Sequence, residues 1–326
     1  MPKMVPLFTH LSTGLSLFAL ALGCAHPAQA ASPNAAVPAE TVPADGQKKE
    51  GDFKQFVENM VQTMLYPSGY ANTYAEPAGH VSQAGCLGEF LYPSDGVKVE
   101  AWVCGPEFDG KIETDKPILL YFHGNGENIY STYRDKYLRK LARLFKVNVA
   151  VFDYPGYGYS EGPANQITYT QSGVATVNWL QEVWKRQGGE GRPNLTLMAY
   201  SLGTGVAMQT LDQTMDKVDK LILIAPWSSF AATVSANTFI IPEILARGLV
   251  PEHLYDSLAV AKKVSIPVLV VHGDQDRLIP HKDGERLFNA FPSKNKTFRL
   301  ISSEHPGASV HRHTMFAIQK FFKENP

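Results

Sequence analysis

Residues 198–205 of the chain read Met-Ala-Tyr-Ser-Leu-Gly-Thr-Gly, and they join the end of the apolar run Leu195–Tyr200 to the start of a helical pattern. A serine at such a strand-to-helix junction lies on a tight, strained turn that exposes its hydroxyl group. Small residues at Ala199 and Gly203 allow neighbouring backbone to pass close to Ser201, and the helix N-terminus favours developing negative charge. A serine that only caps the helix is the weaker interpretation here. The segment predicts a nucleophilic Ser201.

Apolar runs alternate with longer helical patterns along most of the chain. Strands that are apolar along their whole length are buried on both faces, which predicts a mostly parallel sheet covered by helices. The site is then expected at the carboxyl ends of the strands. The predicted strands are Ile118–Phe122, Val147–Phe152, Leu195–Tyr200, Leu221–Ala225, Val268–His272 and Thr297–Ile301, and the predicted helices are Tyr130–Phe145, Asn165–Arg186, Gly203–Met215, His281–Phe291 and Ser309–Lys323.

An antiparallel hairpin is predicted ahead of this alternation. Two short apolar runs, Leu87–Tyr92 and Val97–Val103, flank the turn signal Pro-Ser-Asp-Gly. A register centred on this turn places Cys86 opposite Cys104, within reach of a disulfide bond. A shift of one residue would separate the two thiols to opposite faces, so the pairing depends on the register.

Three further segments carry polar groups just after predicted strands. His123-Gly124-Asn125-Gly126 can turn a backbone N–H towards an oxyanion. A phosphate-binding loop is the rival interpretation, but it would need a Lys-Ser/Thr pair or a complete Gly-x-Gly-x-x-Gly. Residues 272–280, His-Gly-Asp-Gln-Asp-Arg-Leu-Ile-Pro, offer a carboxylate, and residues 302–305, Ser-Ser-Glu-His, offer an imidazole.

This order of Ser, then Asp, then His over residues 85–326 resembles the serine α/β-hydrolases. The nearest group contains small-capped esterases, acyl-thioesterases and monoacylglycerol-lipase-like enzymes. The segment 153–160, Asp-Tyr-Pro-Gly-Tyr-Gly-Tyr-Ser, also matches, without a catalytic role. The chain departs from the family at Ala199, where glycine is usual, and at residues 304–307, Glu-His-Pro-Gly, which lack the common Gly-x-Gly-His form.

The resemblance implies a catalytic triad. Ser201 is the expected nucleophile, and Asp276 rather than Asp274 is the expected acid. His305 is the expected base, because a turn and a full C-terminal helix fit after it; the rivals are the two histidines at 311 and 313.

The resemblance also implies an oxyanion hole formed by the backbone N–H groups of Leu202 and Asn125. His123 and His272 each precede a glycine in a strand-end turn and are expected to be structural. No metal ion or cofactor is implied.

The expected activity is hydrolysis of a carboxylic ester, or a thioester, of a hydrophobic acyl group through an acyl-enzyme. Acyl transfer or peptide hydrolysis could use the same triad, and a catalytically inactive binding protein is a further alternative. The expected partner is therefore a small-molecule ester. Nucleic acid is not expected, because the 326-residue chain has a net charge of -1.

The N-terminus predicts export. Residues 1–30 combine Lys3, a short apolar run and the cleavage pattern Ala-Gln-Ala, as in a signal peptide released into the periplasm or medium. The apolar run is too short to span a bilayer. A competing interpretation is a lipoprotein signal that ends at residue 23, in which case a lipid on Cys24 tethers the protein to a membrane.

The remaining segments complete the expected organisation. Residues 31–51 are rich in Ala, Pro and charge and predict a flexible linker. Residues 52–84 predict a helix and an extension that pack on the α/β-hydrolase domain of residues 85–326, with a helix that binds a partner as the weaker interpretation. An insertion at about 230–264 is longer than an ordinary crossover. It predicts a small helical cap, with a long surface crossover as the alternative.

Overall fold

One sheet of eight strands forms the centre of residues 84–232 and 254–326, which are the residues that the computed structural model describes. The strands are β1 (Leu87–Ser94), β2 (Val97–Cys104), β3 (Ile118–Phe122), β4 (Asn148–Phe152), β5 (Leu195–Tyr200), β6 (Lys220–Ile224), β7 (Val268–Gly273) and β8 (Lys296–Ile301). Their order across the sheet is β1-β2-β4-β3-β5-β6-β7-β8. The pairs β1–β2 and β2–β4 are antiparallel and all others are parallel.

Helices cover both faces of this sheet. They are α1 (Ile129–Arg134), α2 (Tyr137–Phe145), α3 (Gln166–Arg186), α4 (Leu202–Thr214), α5 (Ser257–Ala261), α6 (His281–Ala290) and α7 (Arg312–Glu324). Along β3, Leu120 packs into the core beneath α3 and α4, whereas Leu119 packs into the core beneath α2 and α7. Alternate side chains of one strand thus enter two cores, as a sheet buried on both faces requires. The predicted α/β-hydrolase fold is confirmed.

The six strands predicted from apolar runs are all present. Two of them match to the residue, and the other four differ by a single residue at one or both ends. Every residue of β3, β4, β5, β6 and β7 is buried, which explains why each strand reads as a nearly continuous apolar run.

The single helix predicted over residues 130–145 is wrong, because the structure has two helices there. α1 ends at Arg134 with Asp135 as its C-cap, and Lys136 adopts a left-handed conformation with φ 60° before α2 begins. The polar run Arg134-Asp135-Lys136 has no apolar side chain to bury, so the chain can change direction there. The change allows Ile129 in α1 and Leu138 in α2 both to be buried.

The predicted hairpin is formed by β1 and β2. Leu87 pairs with Val103, and the register continues to Leu91 before a shift near the turn. This register places Cys86 opposite Cys104, and the structure joins the two by a disulfide bond. Both cysteines are buried beside Trp102. The bond therefore ties the start of β1 to the end of β2, at one edge of the sheet.

Several predicted segments lie outside the described residues. They are the export signal with Cys24, the linker 31–51, nearly all of the extension 52–84 and the middle of the predicted cap, residues 233–253. Of the cap range, α5 is described, and it packs against α4 and α6. None of the helices in the described residues is both long enough and apolar enough to cross a lipid bilayer.

Candidate active site

Ser201 lies on a sharp turn between β5 and α4. Its backbone has φ 52° and ψ −120°, a region that residues with a side chain rarely occupy and that costs about 1–3 kcal/mol. The Ser201 N–H donates to the carbonyl oxygen of Ile224, the last residue of β6, at 3.0 Å. This bond holds the turn against the neighbouring strand, and the strained conformation separates the serine from the helix that follows.

Gly203 allows the first turn of α4 to approach the end of β3. A Cβ at this position would lie 2.3 Å from the carbonyl oxygen of Phe122 and 2.7 Å from that of His123. No side chain fits such a gap without moving backbone. The close approach brings the loop 123–126 beside Ser201, where a backbone N–H could face an oxyanion.

His305 makes the direct contact with Ser201. Its Nε2 lies 2.8 Å from the hydroxyl oxygen of Ser201, and its Nδ1 lies 2.7 Å from Oδ2 of Asp276. An ionised carboxylate can only accept hydrogen bonds, so Nδ1 carries the proton and Nε2 is left to accept from the serine hydroxyl. Three side chains from the ends of β5, β7 and β8 thus form one continuous hydrogen-bonded chain.

Asp276 is held in its ionised form. Its Oδ1 accepts the N–H groups of Leu278 at 3.0 Å and Ile279 at 2.8 Å. Burial by itself would raise the pKa of Asp276, but hydrogen bonds from His272, His305 and the Ile279 N–H outweigh burial and hold the pKa well below its usual range. The carboxylate can therefore support a positive charge on the neighbouring imidazole.

His272 lies beside Asp276, closer to the candidate catalytic side chains than its sequence position indicated. Its Nε2 donates to the carbonyl oxygen of Ile279 at 2.8 Å and lies 3.4 Å from Oδ2 of Asp276. The ring is fully buried, and a Cβ on Gly284 would lie 2.3 Å from its Nδ1. His272 thus fixes the turn that carries the carboxylate, a contact that no local motif indicated.

The loop of residues 123–126 is held from behind by two tyrosines. Tyr154 donates to the carbonyl oxygen of His123 at 2.9 Å. The hydroxyl of Tyr157 lies 3.1 Å from the carbonyl oxygen of Asn125 and also contacts its side-chain oxygen. The segment 153–160, for which the sequence indicated no catalytic role, therefore supports the expected oxyanion loop.

The side chains of His123 and Asp153 are buried beneath this loop. Burial lowers the pKa of His123 to about 4, so its ring is neutral at neutral pH. Burial also raises the pKa of Asp153 well above its usual range, while its Oδ1 accepts the Ile129 N–H at 2.8 Å. Both side chains are fully buried, and they support the loop from beneath.

The alternative candidates lie apart from this chain of contacts. Asp274 is exposed, in contrast to the buried Asp276. His311 caps the N-terminus of α7 and His313 lies in its first turn, with the two rings 5.1 Å apart. Among residues 84–232 and 254–326, no cluster of three or more His, Cys, Asp or Glu side chains is arranged to hold a metal ion.

Comparison with known sequences gives a family match and distant relatives. A family model described as the alpha/beta hydrolase fold matches residues 117–245. Lysophosphatidylserine lipase ABHD12 of Danio rerio is 23% identical over 226 residues, which cover 61% of this chain and 57% of that protein. Protein ABHD12B of Homo sapiens is 26% identical over 211 residues, 60% of this chain and 56% of that protein. The chain spans little more than half the length of these relatives.

Solved structures give the same fold over more of the chain. The esterase Pf2001 of Pyrococcus furiosus superposes with a TM-score of 0.58 at 15% identity, covering 77% of this chain and 96% of that one. Est1E of Butyrivibrio proteoclasticus, solved with ferulic acid, has a TM-score of 0.56 at 18% identity and covers 73% of this chain and 98% of that one. At such identities these structures show the fold alone.

Proposed function

We propose that the chain, of which residues 117–245 match a family model described as the alpha/beta hydrolase fold, is a serine hydrolase that cleaves carboxylic esters through Ser201, His305 and Asp276. The observation that carries the proposal is the continuous hydrogen-bonded chain between these three side chains, with distances of 2.8 and 2.7 Å. The strained turn at Ser201 supports it further, since strain of this kind persists where the surrounding structure enforces it.

In the proposed reaction, His305 accepts the proton of the Ser201 hydroxyl as the oxygen attacks the acyl carbonyl carbon. Asp276 holds the imidazole in the tautomer with its proton on Nδ1 and stabilises the imidazolium that forms. The tetrahedral intermediate collapses when His305 donates the proton to the leaving alcohol, or to the leaving thiol of a thioester. Water then attacks the acyl-enzyme by the same route and releases the acid.

The oxyanion of the tetrahedral intermediate is proposed to accept hydrogen bonds from the backbone N–H groups of Leu202 and Asn125. Leu202 is the first residue of α4, and the first N–H groups of a helix have no partner within the helix. Tyr157 and the close approach at Gly203 support the position of Asn125 beside Ser201. One such donor contributes about 3 kcal/mol to lowering the barrier.

The proposed substrates are esters of a hydrophobic acyl group, and among lipids the proposed substrates are lysophospholipids. The names of the curated relatives include lysophosphatidylserine lipase. Trp227, just before the insertion, packs against Phe230 and Tyr255 within it, and the three rings form a buried aromatic cluster beside α4.

The first test combines active-site labelling with a substrate series. We expect a fluorophosphonate probe to label the wild-type protein and Ser302→Ala, which changes an exposed serine near His305, but not Ser201→Ala. We also expect turnover of p-nitrophenyl esters that depends on Ser201 and rises from acetate to octanoate, and release of fatty acid from lysophosphatidylserine. Labelling of Ser201→Ala would place the nucleophile elsewhere, and preference for acetate would contradict the hydrophobic acyl group.

The same measurements address the alternatives. An inactive binding protein would not be labelled, whereas the hydrogen bond from Ser201 to His305 favours an active one. An acyltransferase would also be labelled at Ser201, but an added alcohol would compete with water and accept the acyl group from the acyl-enzyme. A peptidase would also turn over these activated esters, but it would in addition cleave peptide amide substrates, which an esterase leaves intact.

We propose in addition that the protein is exported, by cleavage after Ala30 or with a lipid on Cys24. The Cys86–Cys104 bond supports an oxidising compartment, since disulfides are rare in the cytosol. Mass spectrometry of protein expressed in a bacterial host should find Ala31 as the first residue. A lipid that is lost in Cys24→Ala would show the tethered form instead, and an uncleaved chain with free thiols would contradict export.

A further inference from the structure

Tyr200, the residue before the proposed nucleophile, contacts the loop that carries His305. Its hydroxyl donates to the carbonyl oxygen of His305 at 2.7 Å. Its ring also stacks on the imidazole, with ring centres 5.5 Å apart and planes 25° from parallel. One side chain thus restrains both the backbone and the ring of His305 and is covalently next to Ser201.

The same tyrosine ring packs against the expected oxyanion loop. A Cβ on Gly124 would lie 2.9 and 3.1 Å from two carbons of the Tyr200 ring, so backbone lies directly against the ring. The Gly124 N–H donates to Oε2 of Glu127 at 2.9 Å, and Glu127 also accepts from the hydroxyl of Tyr121 at 2.8 Å. These bonds fix the glycine in contact with Tyr200.

A second tyrosine holds the same histidine loop at a greater distance from the site. The hydroxyl of Tyr137, in α2, donates to the carbonyl oxygen of Ser309 at 3.2 Å. Tyr137 is buried against Tyr121, with ring centres 5.2 Å apart, and burial raises its pKa well above the usual range. Tyr137 therefore makes the same kind of bond to the same loop, but to the residue four positions after His305.

We propose that Tyr200 is a positioning residue that sets the imidazole of His305 relative to Ser201 and to the backbone at Gly124. The proposal rests on the proposed function, since it assigns a role in that reaction. Ser201, the loop that carries His305 and the loop of residues 123–126 come from separate parts of the chain, and Tyr200 contacts all three. Its role is distinct from the triad, because its hydroxyl bonds a backbone carbonyl and takes no part in proton transfer.

Loss of this restraint should affect the transition state more than substrate binding. The distance between Ser201 and His305 matters only while the proton moves, and small misplacements of reacting groups can cost up to about 100-fold in rate. We therefore expect Tyr200→Phe, which keeps the ring and removes the hydroxyl, to lower kcat by about 10- to 100-fold. KM should stay within about twofold, because the substrate contacts are unchanged.

The matched control is Tyr137→Phe, which removes the same chemical group from the same loop. The two variants are compared by kcat, KM, the rate of fluorophosphonate labelling and Tm. Similar Tm values, with slower labelling and lower kcat in Tyr200→Phe alone, would support the proposal. Wild-type kcat in Tyr200→Phe, or equal losses of kcat in both variants, would overturn it and leave a general role in loop stability.

The labelling rate separates this proposal from the proposed function. Labelling of wild-type protein at Ser201 is measured first, and it needs no knowledge of the natural substrate. An unlabelled wild-type protein would overturn the proposed function and the role of Tyr200 with it. Normal labelling of the wild type with the same rate in Tyr200→Phe would overturn only the role of Tyr200.

Discussion

Replacement of His305 by glutamine is expected to lower kcat for ester hydrolysis by about 10⁴- to 10⁶-fold, the range seen when the base of a serine triad is removed. The reason is that Nε2 of His305 lies 2.8 Å from the hydroxyl of Ser201, so the variant has no imidazole to take the proton. KM should change little, because the imidazole acts in the transition state. Turnover of the best p-nitrophenyl ester measures the loss.

His311→Gln and His313→Gln are the matched controls, because they change the two rival histidines after the last strand. Both side chains lie at the start of α7, and the His311 ring accepts the His313 N–H there. Each variant should keep kcat within about threefold of wild type, as for surface substitutions outside a reacting site. Loss of activity in one of them, with His305→Gln still active, would show that the base is misassigned.

Replacement of Asp276 by asparagine is expected to lower kcat by about 10⁴-fold at neutral pH. An amide at this position can donate to Nδ1 of His305, which favours the tautomer with its proton on Nε2, the atom that must accept from Ser201. The control is Asp274→Asn, since Asp274 is exposed and lies two residues away. Equal losses in the two variants would contradict the assignment of the acid to Asp276.

The same carboxylate should make stability depend on pH. Contacts with His272, His305 and the Ile279 N–H depress the pKa of Asp276 in the folded protein. A depressed pKa contributes stability above the unfolded-state pKa of about 4, and this contribution is lost as the pH falls towards the folded-state pKa. The difference in the free energy of unfolding between wild type and Asp276→Asn should therefore shrink from about pH 6 to about pH 3. Urea titrations that give a constant difference would contradict this.

The residues of the strand-to-helix turn at Ser201 and of the apolar runs were sufficient to predict the sheet and the proposed nucleophile. The strands β3 to β7 are buried on both faces, so burial leaves a signal in every residue of the run, as in Leu195–Tyr200. The hairpin register was also readable, because the turn residues fix which positions face each other. That register placed Cys86 opposite Cys104, where the disulfide bond lies.

The break between α1 and α2 could not be read in the same way. The pattern of residues 130–145 fits one helix, and a left-handed Lys136 carries no local signal. Burial of Ile129 and Leu138 against one sheet decides the break, and that depends on where the sheet lies. The support given to Asn125 by Tyr157 likewise joins residues that are remote in the chain.

The sequence by itself determined the order of the strands along the chain, the strained position of Ser201 and the set of side chains that could join it, because these follow from local patterns of apolar and small residues. The sequence favoured His305 over His311 and His313, but only the tertiary structure decided that its imidazole lies within hydrogen-bonding distance of Ser201 and that Tyr200 contacts its loop. Such contacts depend on the relative placement of separate strand ends, which follows from packing of the whole sheet and its helices.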